Sequence, residues 1–524
     1  MEASNLLSKT HANAPSRTLS APLRRLPDGW LYLLYALALA TSISIWFLAI
    51  RAPLWLDETV SYFIIKGPRS EILTRQGWPG VPAYPYLLWF WTRIAGTGEI
   101  AMRMLSVLAM LAAVALLYLA ARKMFERDIA IIAAIIFSLH PFIASEAIDV
   151  RPYAFAALAI TSSILALVHL RTNDSHWLPA LLGLAAAITI YFQFLFIVLV
   201  PALAICVFAI KPGRQKIAWR QFSIALAVFA VAFIPVIPGL RYLFHTSGIH
   251  VFADPPQWAQ LRQTLARKVP VLLLVVTFIV AAITRRLDLR KPTQTWRTIV
   301  CASLGLIPIL TLYGISVGTS IRIFVPRYEI VSIPGIALCW ALFVSRIRSR
   351  ALRSLFCIAL VGIAAFQDVR SPMARVHNYS WKYALDVAEK NASVDGAPVV
   401  ICSDLPESNY LPMPVGAAIK DSAIFSPLTY YHLTVPVVPL PRALDDNAKH
   451  RILQFLGEVT PRHQRFLAVA YMASGETLDW IADKTDDIYD GRELGTFDDV
   501  TVMEFDPHIP ANTLQPKAST GVGQ

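Results

Sequence analysis

Long apolar stretches separated by short polar segments occupy the first 370 residues of this chain. A helix needs about 20 apolar residues to cross the hydrocarbon core of a bilayer. The pattern therefore predicts a polytopic α-helical membrane protein. About eleven transmembrane helices are expected, at residues 30–50, 101–121, 129–147, 153–170, 177–192, 194–210, 222–240, 269–284, 298–316, 328–345 and 353–368.

Basic residues between the apolar stretches indicate how these helices are oriented. They occur in the polar tail of residues 1–29 and in alternate connections, at 122–127, 171, 211–220, 285–297 and 346–353. Cytoplasmic loops of membrane proteins are enriched in lysine and arginine. The tail and these connections are therefore predicted to be cytoplasmic, and an odd number of spans places the C-terminus outside.

Two longer regions fall on the predicted outer side. Residues 51–100 form a first external loop, and its aromatic run at 84–91 is too short to span and is typical of interfacial helices. Residues 369–510 have the composition of a soluble domain. Strand patterns at 397–402, 465–470 and 500–505, with helical patterns at 381–390 and 445–456, predict a small extracytoplasmic α/β domain. Residues 511–524 are expected to be a disordered tail.

Composition supports this interpretation and excludes others. Hydrophobic residues make up 56% of the 524-residue chain and charged residues only 16%, against roughly 25% charged residues in soluble proteins. The net charge of +12 comes largely from the connections, so it indicates topology and argues against a nucleic-acid partner. The five cysteines show no CxxC or His/Cys spacing, and no disulfide framework is expected.

Acidic residues at the predicted outer ends of the spans are the first candidates for chemistry. Asp57 and Glu58 follow the first span. They belong either to a solvated turn or to an active site, as a general base or a cation ligand. Glu146, Asp149 and Arg151 lie between the third and fourth spans. Two explanations are open for Arg151 on the outer side: an ion pair with Asp149, or the binding of a substrate phosphate.

Two further arginines, Arg322 and Arg327, lie in the external connection between the ninth and tenth spans. Contact with lipid headgroups is one explanation for each of them. Carboxylates that accept a hydroxyl proton, together with arginines that hold a phosphate, also suit transfer from a phosphate-activated donor. A lipid or solute transporter is the main alternative, but charged residues concentrate at the span ends and not in mid-membrane. A non-catalytic scaffold subunit is the other alternative.

Four motifs in these segments resemble the GT-C glycosyltransferases, in particular protein O-mannosyltransferase-like and lipid A aminoarabinose transferase-like enzymes of bacteria. Leu54-Trp55-Leu56-Asp57-Glu58, followed by Pro82-Ala83-Tyr84-Pro85-Tyr86, resembles their first external loop. The segment 99–106 resembles their second-span entry. Asp149-Val150-Arg151-Pro152-Tyr153 resembles their Glu-x-Arg-Pro-Tyr motif, with Asp in place of Glu, and Pro326-Arg327-Tyr328 resembles a late motif. The resemblance covers roughly residues 30–370. An oligosaccharyltransferase-like Trp-Trp-Asp motif does not occur in the tail.

The resemblance implies an inverting transfer of a sugar from a polyprenyl-phosphate donor to a hydroxyl of a glycan, lipid or protein. It also implies a bacterial inner-membrane protein with a periplasmic C-terminal domain. Asp57 is the expected general base, with Glu58 orienting it or sharing a divalent cation (Mg, Mn or Zn), and Asp149 is the third catalytic acid. The donor phosphate is assigned to Arg151, Arg322, Arg327 and Tyr328. The remaining substrate contacts are assigned to Tyr84, Trp78, Tyr153 and Glu146, although interface anchoring explains the first two equally well.

Overall fold

The computed structural model describes residues 28–77, 81, 83–245, 255–288, 295–370, 381–402, 405, 422–471 and 475–508. A helical part precedes a smaller α/β domain. The helices of the first part are α1 Asp28–Ser44, α2 Leu56–Ile65, α3 Ile72–Gln76, α4 Ala83–Ala95, α5 Glu99–Met124, α6 Arg127–Ser138, α7 Pro141–Glu146, α8 Tyr153–Leu170, α9 Trp177–Phe192, α10 Leu199–Ala209, α11 Gln215–Phe233, α12 Ile237–His245, α13 Trp258–Leu265, α14 Lys268–Ile283, α15 Thr295–Gly318, α16 Ile333–Val344 and α17 Arg350–Arg370.

By length and apolar composition, six helical segments among the described residues can cross a membrane. They are Gly29–Ala49, Glu99–Met124, Tyr153–Leu170, Gln215–His245, Thr295–Gly318 and Arg350–Gln367. A seventh is formed by α13 and α14 together, with a 50° bend between them. Each of the eleven predicted apolar runs overlaps one or more helices. A polytopic helical fold is thus confirmed, while the number of eleven crossings stays a prediction.

The predicted span 129–147 differs from the structure, because the helix is interrupted. Helix α6 ends at Ser138, and His140 adopts an extended conformation (φ −66°, ψ 127°) before Pro141 begins the short α7. Proline has no backbone N–H and disfavours a helical conformation in the residue before it. After the break, Glu146 ends the short helix α7, and Asp149 lies in the connection between α7 and α8.

Connections predicted to share the cytoplasmic side contact one another. The Arg353 guanidinium lies 2.7 Å from the Asp128 carboxylate and 3.0 Å from that of Glu126. Arg348 pairs with Asp288 at 2.7 Å. These contacts join the three connections at one end of the bundle. That this end faces the cytoplasm remains the prediction from charge.

Close helix packing in the bundle depends on glycine. Helices α15 and α16 cross at Gly305 and Gly335. A Cβ built on Gly335 would lie 2.3 Å from the backbone nitrogen of Gly305 and from the carbonyl carbon of Leu304. A side chain at Gly335 would force the two backbones apart, so this position requires glycine, whereas a Cβ at Gly305 would make a tight contact of 3.1 Å with the backbone of Gly335.

The C-terminal domain is built on a five-stranded sheet. Its strands are β1 Val399–Cys402, β2 Val437–Leu440, β3 Phe466–Tyr471, β4 Tyr489–Phe497 and β5 Val500–Pro507, in the order β2-β1-β3-β5-β4. Strand β1 is parallel to β2 and β3, whereas β5 is antiparallel to β3 and β4. Four helices accompany the sheet: α18 Trp381–Ala392, α19 Ser426–Tyr431, α20 Asp446–Val459 and α21 Gly475–Thr485. The three predicted strands and the two predicted helices occur close to their expected positions.

Alternate residues of the strands face two separate cores, as the strand period of two requires. One core takes Val400 and Phe466 from the sheet, and the other takes Val399 and Leu467. The second core also includes Trp55 and Leu56 of the helical part. The α/β domain therefore packs directly on the chain that enters α2.

Candidate active site

The segment that enters α2 holds its two carboxylates in opposite environments. The Trp55 backbone N–H donates to the Glu58 carboxylate at 3.2 Å, an N-terminal capping interaction that fixes the first turn of the helix. Asp57 keeps 17% of its side chain exposed, whereas Glu58 keeps 1%. Neighbours in sequence thus lie in different environments.

Glu58 forms a buried ion pair with Arg103 of α5. The Arg103 Nε and Nη2 atoms donate to the two carboxylate oxygens at 2.9 and 2.6 Å, and the Val150 backbone N–H donates at 3.0 Å. Arg103 is itself only 3% exposed and also donates to the carbonyl oxygens of Ile50 and Pro53. Glu58 therefore joins the entry to α2, helix α5 and the Val150 connection.

Asp57 is held by two of the three arginines that are predicted to bind the donor phosphate. The Arg327 Nη1 atom lies 2.8 Å from Asp57 Oδ2, and the Arg151 Nη2 atom lies 3.5 Å from the same oxygen. Arg151 also donates to the Asp57 backbone carbonyl at 3.4 Å. The two arginines keep 23% and 25% of their side chains exposed, so the cluster is open on one side.

Trp55 links this cluster to the second acidic motif. Its indole N–H donates to Asp149 Oδ1 at 3.0 Å, and the Arg327 guanidinium lies 5.7 Å from the centre of its ring system. Asp149 is buried, and its backbone carbonyl accepts from Ser106 at 2.6 Å. Burial raises the pKa of Asp149, while the nearby Arg151 and the Trp55 N–H oppose that shift.

The surroundings of the predicted acids differ from one another. Asp149 and Glu146 are both buried, and Asp149 accepts from the Trp55 indole. Their predicted roles as a catalytic and a substrate-binding acid remain predictions. Glu58 has both oxygens occupied by N–H donors, and Asp57 faces two guanidinium groups. The predicted Asp57–Glu58 cation site is not supported by these donors. Among the described ranges, no group of three or more His, Cys, Asp or Glu residues is placed to hold a metal ion.

The aromatic residues predicted to contact the substrate lie in different surroundings. Tyr153 is buried at the start of α8, with its ring 6.4 Å from that of the half-buried Tyr328, so the two lie side by side near Arg327. Tyr84 is buried in an apolar cluster and packs against Phe155, which leaves no ring face for a sugar. Trp78 lies outside the described residues.

Arg322 does not join Arg151 and Arg327 at Asp57. Its guanidinium donates to the carbonyl oxygens of Ser316 and Thr319, in the last turn of α15 and just after it. A cation at this position satisfies carbonyls that the helix end leaves without intrahelical partners. The expectation that Arg322 holds the donor phosphate is not supported by these contacts.

Arg103 and Trp55 have no role in the site predicted from the sequence. Arg103 is the only charged residue in the predicted span 101–121. An arginine inside an apolar run needs a buried counter-charge, and this signal could have predicted a partner for it. Trp55 gives no comparable signal, because its role depends on a contact with Asp149, 94 positions further along the chain.

A cleft lies between helices of the bundle, next to the segment that carries Glu329. It has a volume of about 560 Å³ and runs between α6, α13, α14, α16 and α17. Apolar side chains such as Ile136, Ile336 and Trp340 form most of its wall, whereas Arg262, Arg267 and Lys268 add positive charge. Thr264 in the same wall donates to Glu329 at 2.6 Å, which connects the cleft to the segment that carries Arg327.

Comparison with known proteins shows which fold this chain resembles. The model of the dolichyl-phosphate-mannose-protein mannosyltransferase family matches residues 79–240, a range that includes Arg151 and begins after Asp57. The fold resembles that of ArnT from Cupriavidus metallidurans bound to undecaprenyl phosphate. The TM-score is 0.51 at 12% sequence identity, covering 91% of this chain and 98% of ArnT. The resemblance to GT-C membrane glycosyltransferases is thereby confirmed, and the chain has a GT-C-like fold.

Two further structures show the same kind of likeness. The apo state of ArnT gives a TM-score of 0.49 at 14% identity, over 91% of this chain and 98% of ArnT. The oligosaccharyltransferase of Archaeoglobus fulgidus gives 0.45 at 12% identity, over 89% of this chain and 73% of its own. A search of curated protein sequences finds no match.

Proposed function

We propose that this protein transfers a sugar from a polyprenyl-phosphate donor to an acceptor hydroxyl at the extracytoplasmic membrane surface. The observation that carries the proposal is the pairing of one partly exposed carboxylate, Asp57, with two partly exposed arginines. A carboxylate can accept the proton of a hydroxyl nucleophile. Arginines can stabilise the negative charge that develops on a departing phosphate. Both requirements of the reaction meet within one cluster.

The cleft next to the Glu329 segment supports a lipid-linked donor. Its apolar walls suit an isoprenoid chain, and its three basic side chains suit a phosphate headgroup. Thr264 in the wall donates to Glu329, so a lipid in the cleft would lie next to the segment that carries Arg327. ArnT, which was crystallised with undecaprenyl phosphate, has a similar fold, in line with such a donor.

The reaction follows from these positions. The acceptor oxygen forms a bond to the anomeric carbon while the bond from that carbon to the phosphate oxygen breaks. Asp57 takes the hydroxyl proton, and the polyprenyl phosphate leaves with the electron pair. Attack from the face opposite the phosphate inverts the anomeric configuration. A donor phosphate also competes with Asp57 for Arg151 and Arg327, so donor binding would release the carboxylate toward the acceptor.

The acceptor side faces the α/β domain, which packs on the segment that carries Asp57. The acceptor is a hydroxyl of a glycan, a lipid or a protein. The charge pattern predicts that the domain and the cluster lie together on the outer side of the membrane, and the family resemblance favours the periplasmic side of a bacterial inner membrane.

The test is transfer from radiolabelled polyprenyl-phosphate sugars by protein reconstituted in liposomes. Asp57→Asn should retain donor binding and lower turnover by about 10²–10⁴-fold, the usual contribution of a general base. Arg327→Gln should lower turnover by about 10²–10³-fold, as expected for a lost charge-stabilising donor. Arg322→Gln is the matched control, because Arg322 serves the end of α15.

Two results would contradict the proposal in different ways. Equal turnover by wild type and Asp57→Asn would remove Asp57 from the chemistry. Failure of the wild type to transfer from every donor offered would overturn the glycosyltransferase assignment and favour the transporter or scaffold alternatives.

A further inference from the structure

The α/β domain holds the chain on both sides of Asp57. The Tyr431 hydroxyl of α19 accepts from the Leu54 backbone N–H at 2.6 Å and donates to the Leu54 carbonyl at 3.2 Å. One phenol therefore satisfies both backbone groups of a residue three positions before Asp57. Leu54 is fully buried, so these groups have no access to water in the absence of the phenol.

A second contact follows Asp57. The hydroxyls of Thr59 and Ser426 lie 2.9 Å apart, and both residues are fully buried. Because the Thr59 hydroxyl donates to the Leu56 carbonyl at 2.7 Å, the proton between the two hydroxyls is supplied by Ser426. Ser426 is the first residue of α19, and Tyr431 is the last. A single short helix thus spans the segment from Leu54 to Thr59.

Apolar packing supports the same attachment. Trp55 and Leu56, which lie between the two polar contacts, belong to a core that includes Phe425 and Leu428 of the α/β domain. Trp55 is also the residue whose indole contacts Asp149 and whose ring faces Arg327. The domain therefore contacts the segment that carries Asp57 in two ways, through the backbone of Leu54 and through the side chain of Trp55.

We propose that Tyr431, assisted by Ser426, is a positioning residue for the transfer reaction, and that it holds Asp57 in register with Arg151 and Arg327. This inference rests on the proposed function. It assigns the α/β domain a part in the chemical step, in addition to any role in acceptor binding. Tyr431 touches no reacting atom and acts through the Leu54 backbone.

The adjacent Tyr430 provides a matched control. It lies on the same helix, and its hydroxyl donates to the Thr97 carbonyl at 3.1 Å, in the connection before α5. Its ring packs against that of Tyr62 with centroids 4.9 Å apart, a contact that phenylalanine preserves. Removing either hydroxyl leaves the aromatic packing of α19 intact, but only the Tyr431 hydroxyl contacts the Asp57 segment.

The experiment compares Tyr431→Phe, Tyr430→Phe and Ser426→Ala in reconstituted full-length protein, with turnover and donor KM measured separately. Tyr431→Phe should lower kcat by up to about 100-fold, because small misplacements of catalytic groups have effects of that size. Donor KM should stay close to that of the wild type. Ser426→Ala should act in the same direction with a smaller loss, and Tyr430→Phe should match the wild type.

A double variant separates positioning from general stability. If Tyr431 acts through Asp57, adding Tyr431→Phe to Asp57→Asn should cause no further loss of turnover. An additive loss, or wild-type kcat in Tyr431→Phe, would overturn the positioning role while the proposed function stands. Absence of transfer by the wild type would instead overturn the proposed function, and the positioning role with it.

Discussion

Replacement of Glu58 by glutamine tests whether adjacent carboxylates have separate roles. The glutamine side chain has the size of glutamate but replaces one acceptor oxygen with an NH₂ donor and removes the charge. In the protein both Glu58 oxygens accept from N–H groups, so the new NH₂ must face at least one of them. Arg103, 3% exposed, would also lose its counter-charge.

The expected cost follows from this burial. Removing one partner of a buried ion pair costs about 3–5 kcal/mol, because the other charge stays in a medium of low dielectric. The Arg103 bonds to backbone carbonyls persist, so the lower part of that range is expected for Glu58→Gln. Asp57→Asn breaks a pair that reaches solvent, and its cost should be about 1 kcal/mol or less.

The assay is the apparent melting temperature of detergent-purified protein at one heating rate, since large membrane proteins unfold irreversibly. Glu58→Gln should melt well below the wild type, and Asp57→Asn should melt close to it while losing transfer. An unchanged melting temperature for Glu58→Gln, or a larger drop for Asp57→Asn, would refute the separation of a structural Glu58 from a chemical Asp57.

Two further predictions concern packing and pH. Gly335→Ala should destabilise the protein by about 1–3 kcal/mol, because the added Cβ would overlap the backbone of α15. Gly314→Ala should be neutral or slightly stabilising, because a Cβ at this position has no neighbour within 4 Å. Equal melting temperatures for the two variants would contradict the close crossing of α15 and α16. Because burial raises the pKa of Asp149, its contribution to stability is fully present below the ordinary aspartate pKa and is lost as pH rises through the folded value. Asp149→Asn keeps an oxygen that accepts from Trp55 and should therefore gain stability relative to wild type as pH rises in thermal melts, and a pH-independent difference between the two proteins would disprove this.

Local patterns in the sequence were sufficient for the helical membrane fold and for much of the α/β domain. Each segment must bury its own apolar residues, so its apolar pattern predicts a helix or a strand without knowledge of the segment it packs against. This holds for the apolar runs and for the strand patterns at 397–402, 465–470 and 500–505. The edge strand β2 was missed because it is short and includes Pro439. Strand β4 was missed because Asp490-Gly491-Arg492-Glu493 lacks an apolar alternation.

Part of the site could also be predicted, since Asp57, Arg151 and Arg327 occur at span ends expected on one side of the membrane. The sequence could not say which of Asp57 and Glu58 is open, or that Arg322 serves the end of α15 while Arg327 reaches Asp57. Those outcomes depend on contacts between residues 45, 94 and 270 positions apart. Such contacts depend on how the helices and the α/β domain pack together. Residue type and local spacing do not predict that packing. The sequence by itself therefore determined the membrane fold and the candidate residues, and the tertiary structure alone decided which of them meet.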